Sequence, residues 1–289
     1  MTVSVVLASC RSAQLVSEAI GGLLPQCRDA GAELIVARSQ PPGAPDSASL
    51  FDGCRLVPCH PGATIPEIRG AGLAAATGDC VLLTEDNCVP RPGWVARLAA
   101  ALASGTEIAG GTMGNAHPDI AIDAGAFLAE YGFFGESRIA PGAGASPMVT
   151  GANVGYRRSV VGEAAALALA GEWEGVIHHQ LVARGARVTL VCDAVVEQNL
   201  HYQFGSFCQD RFEHGRVYAS VRCRAWGIGK RLVMAAATPL LPPLQTWRAW
   251  QSAGRANRAS FVKALPFTVA FLAAWALGEA TGYLFGGAS

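Results

Sequence analysis

Short strand-like runs alternate with helical spacing through the first two hundred residues, and this alternation limits the fold more than any other feature. Residues 3–8 are β-branched and apolar, and Leu15, Val16, Ala19, Ile20 and Leu23 recur at helical spacing across 13–24. Further strands are predicted over 33–37, 55–59 and 80–84, helices over 65–77 and 94–103, and extended chain over 107–112. Short apolar strands joined through helices form a mostly parallel sheet covered on both faces, an α/β architecture. Ligands of such sheets bind outside the carboxyl ends of the strands.

The second half is less regular. Residues 135–155, and a shorter stretch over 40–45, are Gly/Pro-rich and read as loops, the longer of a length that usually serves function. Helices are predicted over 159–170 and 175–184, a strand over 187–196 and a basic helix over 205–224. Composition then shifts, which places a boundary near 226: residues 1–225 as an α/β domain, 226–289 as a basic linker with apolar helices. The apolar run 231–250 is interrupted by Pro239, Pro242 and Pro243, which suits an interfacial or re-entrant element better than a straight span. Residues 264–286 carry one charge, Glu279. As a helix they reach about 34 Å, against a hydrocarbon core of about 30 Å. Lys263, Arg258 and Arg255 precede the segment, as at a cytoplasmic end. Three readings stay open: a helix crossing a membrane, one lying on it, or a buried C-terminal helix.

Net charge is zero but unevenly spread. Residues 201–263 hold ten Lys/Arg and two acids, residues 1–200 twelve basic and nineteen acidic groups. A basic segment beside apolar sequence suits phosphate or an anionic membrane surface and argues against nucleic acid; the plainer alternative is a solvated helix face. The nine cysteines form no CxxC pair, and Cys59-His60 lacks a second half for a zinc site, so reduced thiols in a cytosolic domain are expected. The opening MTVSVVLAS lacks the basic region and long apolar core of a signal peptide and reads as a first strand. The catalytic part is therefore expected in the cytosol, at the inner face of the membrane.

Chemistry concentrates where the strand over 80–84 runs into Glu85-Asp86-Asn87. Adjacent acids at a sheet edge repel each other and lose hydration, so a cation is a natural partner. Mg²⁺ or Mn²⁺ would take carboxylate and amide oxygens and keep positions open for a diphosphate. An acidic turn ahead of Pro90 explains the same residues without a metal. Gly70-Ala71-Gly72-Leu73-Ala74-Ala75 fits a dinucleotide-binding pattern, but it follows Pro66-Glu67-Ile68-Arg69 instead of a strand. His178 and His179 point about 100° apart on a helix and do not readily share an ion.

RGAGLAAATGDCVLLTEDNCVPRPGWVARL, residues 69–98, resembles the core of the family 2 glycosyltransferases: an Arg, A-x-G, a strand, an acidic triplet and P-x-P-G-W. The resemblance extends weakly from Val3 to about Arg224, through GANVGYRRS (151–159) and EWEGVIHHQLVARGARV (172–188). It implies a GT-A-like fold and inverting transfer from a UDP- or GDP-linked sugar to an acceptor hydroxyl. It assigns the metal to Asp86, flanked by Glu85 and Asn87, and donor contacts to Arg69, with Ser9 and Arg11 as further candidates. Glu174 falls where the family places its catalytic base, with Glu172 two residues upstream as the reserve. FCQDRFEHGR, 207–216, faintly resembles a Q-x-x-R-W element, but Gln209, Asp210 and Arg211 do not match its spacing, so a basic helix offering Arg211, His214 and Arg216 to phosphate is the expectation. The triplet is poorer in Asp than usual, and Val36-Ala37-Arg38-Ser39 replaces the family's V-D-x-G-S. Together with the apolar C-terminal segment, the resemblance suggests a lipid-linked or membrane-embedded acceptor. A non-catalytic, membrane-anchored binding subunit with the same sheet is the alternative.

Overall fold

The computed structural model describes residues 1–41, 43, 46–136, 148–252 and 258–286, with the side chains of 251 and 252 excepted. The middle of the 135–155 loop, part of the 40–45 loop and Arg255 lie outside the described residues. The chain divides into two compact units, residues 1–114 with 138–199, and residues 115–137 with 200–289. The boundary expected near 226 falls inside the second unit.

The first unit is built on β1 (Val3–Ser9), α1 (Ala13–Ala30), β2 (Glu33–Arg38), β3 (Arg55–Pro58), α2 (Ile65–Ala75), β4 (Cys80–Glu85), β5 (Cys88–Pro90) and α3 (Trp94–Ala103). It continues through β6 (Ile108–Asn115), whose last residue begins the second unit, and later β7 (Asn153–Arg157), α5 (Arg158–Leu169), α6 (Glu174–Ala183) and β8 (Val188–Gln198). The strands form one sheet in the order β3-β2-β1-β4-β7-β6-β8-β5. β3, β2, β1 and β4 are parallel neighbours, while β7 runs antiparallel to both β4 and β6. Three residues of the predicted loop, Asn153, Val154 and Gly155, belong to β7.

Strand identity follows from burial. Val5, Val6, Leu7, Val81 and Leu82 are fully enclosed, as expected of strands covered on both faces. The helices reach the sheet closely: a Cβ at Gly72 of α2 would strike Val6 of β1, and one at Gly70 would strike Leu169 of α5. These glycines, which mimic the dinucleotide pattern, serve packing. Trp94 is buried at the start of α3, where Gly93 takes the left-handed φ of +85° that favours glycine. Its indole Nε1 donates to Asn153 Oδ1 at 2.8 Å, and Asn153 Nδ2 donates to the carbonyls of Thr112 and Ala194. One buried amide thus joins β6, β7, β8 and α3, with each of these bonds satisfied inside the core.

The second unit is helical: α4 (Ala121–Tyr131), α7 (Phe204–Arg222), α8 (Ile228–Ala237), α9 (Leu241–Ser252) and α10 (Arg258–Phe285). α10 begins a few residues before the apolar segment expected over 264–286 and covers it to Phe285. It packs on α4 through Gly125, where a Cβ would come within 2.5 Å of Phe267.

Candidate functional site

β1 is the switch point of the sheet, because the chain leaves it toward β2 and returns on its other side as β4. Parallel register pairs Ala8 with Glu85, so Ser9 and Asp86 leave the sheet side by side. This is where an open α/β sheet offers a crevice to ligands.

Asp86 is buried and closes the turn after β1. Its Oδ2 accepts from Ser9 Oγ at 3.0 Å, the Cys10 amide at 2.8 Å and the Arg11 amide at 2.7 Å. Arg38 Nη1 stands 3.9 Å from the same oxygen, and Arg11 Nε stands 3.7 Å from Oδ1. Burial pushes the Asp86 carboxyl above its ordinary pKa, against these donors and the Arg11 charge. Arg38 is itself tied down, with a two-pronged pair to Asp46 at 2.9 and 3.0 Å and bonds to Ser9 Oγ and the Arg11 carbonyl. Of the residues expected to touch a donor here, Ser9 is engaged within this network, while the Arg11 side chain is 43% exposed.

Glu85 faces a different partner. A capping box between Thr64 and Glu67 fixes the start of α2, and one turn on, that helix holds Arg69 buried. Arg69 Nε and Nη2 donate to Glu85 Oε1 at 3.1 and 2.6 Å, and Nη1 donates to Glu174 Oε2 at 2.7 Å. One guanidinium therefore joins the acidic triplet to the predicted base, with its Cζ 5.7 Å from the Trp173 ring centre. Burial favours neutral arginine, yet the two carboxylates outweigh it and raise the Arg69 pKa. Gly151 makes room for this arrangement, since a Cβ there would lie 2.6 Å from Arg69 Cζ.

Glu174 opens α6, where the helix N-terminus favours an acid. Burial would raise its pKa, but the Arg69 charge and hydrogen bond prevail and lower it. Behind it, Tyr156 Oη and His178 Nε2 lie 2.8 Å apart. Burial lowers the His178 pKa to about 4 and raises that of Tyr156, so both are neutral near pH 7. His178 thus has a tyrosine partner, while His179 is exposed. Glu172 lines the same crevice with Arg69, Gly151, Tyr156, Glu174 and Ile177. Its open space is about 10 Å³, at most one water.

Among the described residues no three His, Cys, Asp or Glu side chains are grouped as a ready-made metal site. Glu85 is engaged by Arg69, and one oxygen of Asp86 is committed to the β1–α1 turn. Asp86 Oδ1 and the Asn87 amide are the remaining hard donors of the triplet. That set fits an ion arriving with a diphosphate, since Mg²⁺ commonly takes one or two protein ligands beside phosphates and water.

Arg211 belongs to the second unit. It is buried under Trp275, with its Cζ 4.3 Å from the ring centre; its Nη1 lies 3.9 Å from Glu130 Oε1 and its Nη2 donates to the Ala129 carbonyl at 3.5 Å. Its Nε has no hydrogen-bond partner among the described residues, and burial lowers its pKa. Of its expected companions, Arg216 pairs with Glu213 at 2.6 Å. Sequence reasoning missed the Arg38–Asp46 pair, although a charged residue ending a buried strand was a visible signal. It also missed His201, whose Nδ1 meets buried Asp123 Oδ2 at 2.7 Å in the second unit. That pairing spans seventy-eight positions and leaves no local pattern.

No family model and no curated protein sequence matches the chain. Among solved structures it is similar to a mannosyltransferase from Pyrobaculum calidifontis in complex with GDP-Man and Mn²⁺. Identity is 16%, the match covers 96% of this chain and 86% of that one, and the TM-score is 0.57. A glucosyl-3-phosphoglycerate synthase from Mycobacterium tuberculosis, in complex with Mn²⁺ and UDP-glucose, matches at 19% identity over 70% of this chain and 71% of that one, with a TM-score of 0.44. The first likeness, with the strand order above, makes this an α/β protein of GT-A-like fold with a C-terminal apolar helix.

Proposed function

We propose that the chain is a glycosyltransferase that moves a sugar from a UDP- or GDP-linked donor to an acceptor hydroxyl with inversion. One observation carries the reading: at the switch point of a GT-A-like sheet, buried Arg69 ties the acidic triplet to Glu174. The arrangement holds a carboxylate in position near the carboxyl edge of the sheet, where such folds receive their ligands.

In this reading the exposed Arg11 guanidinium receives the diphosphate at the crevice mouth. A divalent ion, Mg²⁺ or Mn²⁺, would be held by Asp86 and Asn87 and would neutralise charge on the departing nucleotide. Arg69 acts as a positioning residue. Bound to Glu85 and Glu174 at once, it fixes the carboxylate of the base and keeps it ionised near pH 7. Glu174 takes the proton of the acceptor hydroxyl while that oxygen bonds to the anomeric carbon. The bond from that carbon to the diphosphate oxygen breaks on the opposite side, and the electron pair leaves with the nucleotide. Glu172, on the same crevice wall, is the reserve acid.

Turnover of UDP- and GDP-sugars with Mn²⁺ tests this directly. Glu174→Gln is expected to lower kcat by about 10²–10⁴-fold, with nucleotide binding and the far-UV spectrum retained, and Glu172→Gln to have a smaller effect. Absence of both turnover and nucleotide binding in the wild-type chain would sink the reading. The internally satisfied Ser9, Asp86 and Arg69 side chains favour one alternative, a membrane-anchored binding subunit without turnover. Nucleotide binding with no transfer to any acceptor would select it. A lipid-linked acceptor at the cytoplasmic face fits the basic, apolar second unit and is tested by comparing soluble with lipid-bearing acceptors.

A further inference from the structure

The second unit carries an apolar surface that its own packing leaves uncovered. Ile228, Leu232 and Val233 on α8 and Leu240 just beyond it are each between 51 and 68% exposed, and Leu244 and Trp247 extend the row along α9. Ile228, Leu232, Leu240 and Leu244 fall on a four-residue spacing that Ala236 completes, so α8 presents one apolar face outward. The helix is anchored along the edge beside that face: Ala235 is buried, and Arg231 donates to the carbonyls of Tyr283 and Leu284 at 2.7 and 3.3 Å. Contiguous exposed apolar residues of this kind mark an interaction surface.

The surrounding charge selects the partner. Between His214 and Gly278 the chain has nine Lys/Arg and no Asp or Glu. Lys230 Nζ sits 4.0 Å from the Trp226 ring centre, at the edge of the apolar row, and Arg224 is exposed nearby. A second copy of this chain would bring the same positive charge to the same place, which opposes self-association. An anionic lipid surface offers hydrocarbon for the apolar row and negative headgroups for the bases.

The obvious membrane element, α10, is poorly placed to cross a bilayer. It runs beside α7 in the same direction over nearly the whole length of α7: Phe204 meets Phe267, Phe207 meets Phe271, Tyr218 meets Trp275 and Trp226 stacks on Tyr283. The two backbones touch, because a Cβ at Gly215 would strike the Trp275 carbonyl, at Gly278 that of Phe212 and at Gly282 that of Arg216. α7 carries Asp210, Arg211, Glu213, Arg216 and Arg222. If α10 spanned, α7 would have to enter the hydrocarbon with it or be torn away, and either is costly. Glu279 is likewise committed inward, accepting from Trp275 Nε1 at 2.5 Å and Tyr283 Oη at 3.1 Å.

We infer that the second unit docks on an anionic bilayer as an interfacial element, seated by the outward faces of α8 and α9, with α10 lying along α7 and not crossing the bilayer. The inference stands apart from the transferase reading, since nucleotide binding and lipid binding are separate measurements.

The test uses the full chain with vesicles of phosphatidylglycerol and phosphatidylcholine, and with vesicles of phosphatidylcholine alone. Co-sedimentation is expected with the anionic vesicles, to weaken in high salt and to reverse on alkaline carbonate extraction. Leu232→Asp and Leu240→Asp, both at exposed positions, are each expected to weaken binding by about tenfold or more without changing the melting temperature. Trp247→Tyr in the same row is a second, milder probe, expected to reduce binding less. Retention after carbonate extraction would overturn the inference in favour of a crossing α10. Equal binding to both vesicle types, no binding, or a dimer that buries the same residues would overturn it as well.

Discussion

Each unit buries an arginine, and the two are treated in opposite ways. Arg69 in the first unit meets two carboxylates at 2.6 and 2.7 Å, and its pKa rises. Arg211 in the second has one carboxylate at 3.9 Å, a long bond to a carbonyl, an unpartnered Nε and aromatic rings, and its pKa falls. A buried charge is tolerated where its donors are satisfied and is a burden where they are not. The lesson is that Arg69 belongs to a closed electrostatic device, whereas Arg211 is held chiefly by packing.

The sharpest way to break this contrast is to replace each arginine by a side chain of similar length without charge. Arg69→Met strands Glu85 and Glu174 and is expected to cost about 3–5 kcal/mol in chemical denaturation. Equal stability to wild type would mean that the bridge contributes nothing. Next in size are two glycine substitutions. Gly278→Ala drives a Cβ into the α7 backbone, which cannot yield, and is expected to cost about 3 kcal/mol, the upper end of overpacking. Gly151→Ala presses on the movable end of Arg69, so about 1 kcal/mol is expected, with a larger loss of activity than of stability. Arg211→Met removes an under-satisfied charge and should change stability by no more than about 1 kcal/mol in either direction. A large loss there would show that Arg211 has stabilising partners like those of Arg69.

Acid titration gives the smallest effect and separates two carboxylates of the site. Glu174 has a lowered folded pKa, so its pairing adds stability above the unfolded carboxylate value, ~4.3, and loses it as pH falls through the folded value. Asp86 has a raised folded pKa, so its charged form detracts from stability at neutral pH, and the penalty disappears as pH falls through that value. Melting temperature against pH is therefore expected to decline most steeply below the ordinary carboxylate range, and Glu174→Gln should flatten that decline.

Much of the first unit was legible because its signals are local. The helix over 94–103 is observed as α3, and the strand over 80–84 extends by one residue to Glu85. β7 was partly hidden, since Asn153, Val154 and Gly155 sit at the end of a Gly-rich stretch and become strand through pairing with β4. The triplet's position at the sheet edge was readable, but its partners were not. Arg69 reaches Glu174 across 105 positions and Ser9 reaches Asp86 across 77, and such pairings are properties of the fold. The composition of α10 announced a helix able to span a bilayer by length. Its close fit to α7 depends on Gly215, Gly278 and Gly282 meeting in space.

The proposed transfer requires the crevice beside β1 and β4 to take a nucleoside diphosphate. Calorimetric titration of the full chain with UDP and GDP, in Mn²⁺ and after chelation, tests it most directly. Saturable binding of one of them is expected, weakened about tenfold or more by chelation and by Asp86→Ala, because each loses at least one charge-assisted contact. Failure of both nucleotides to bind the folded wild-type chain, or binding indifferent to Asp86, would contradict it.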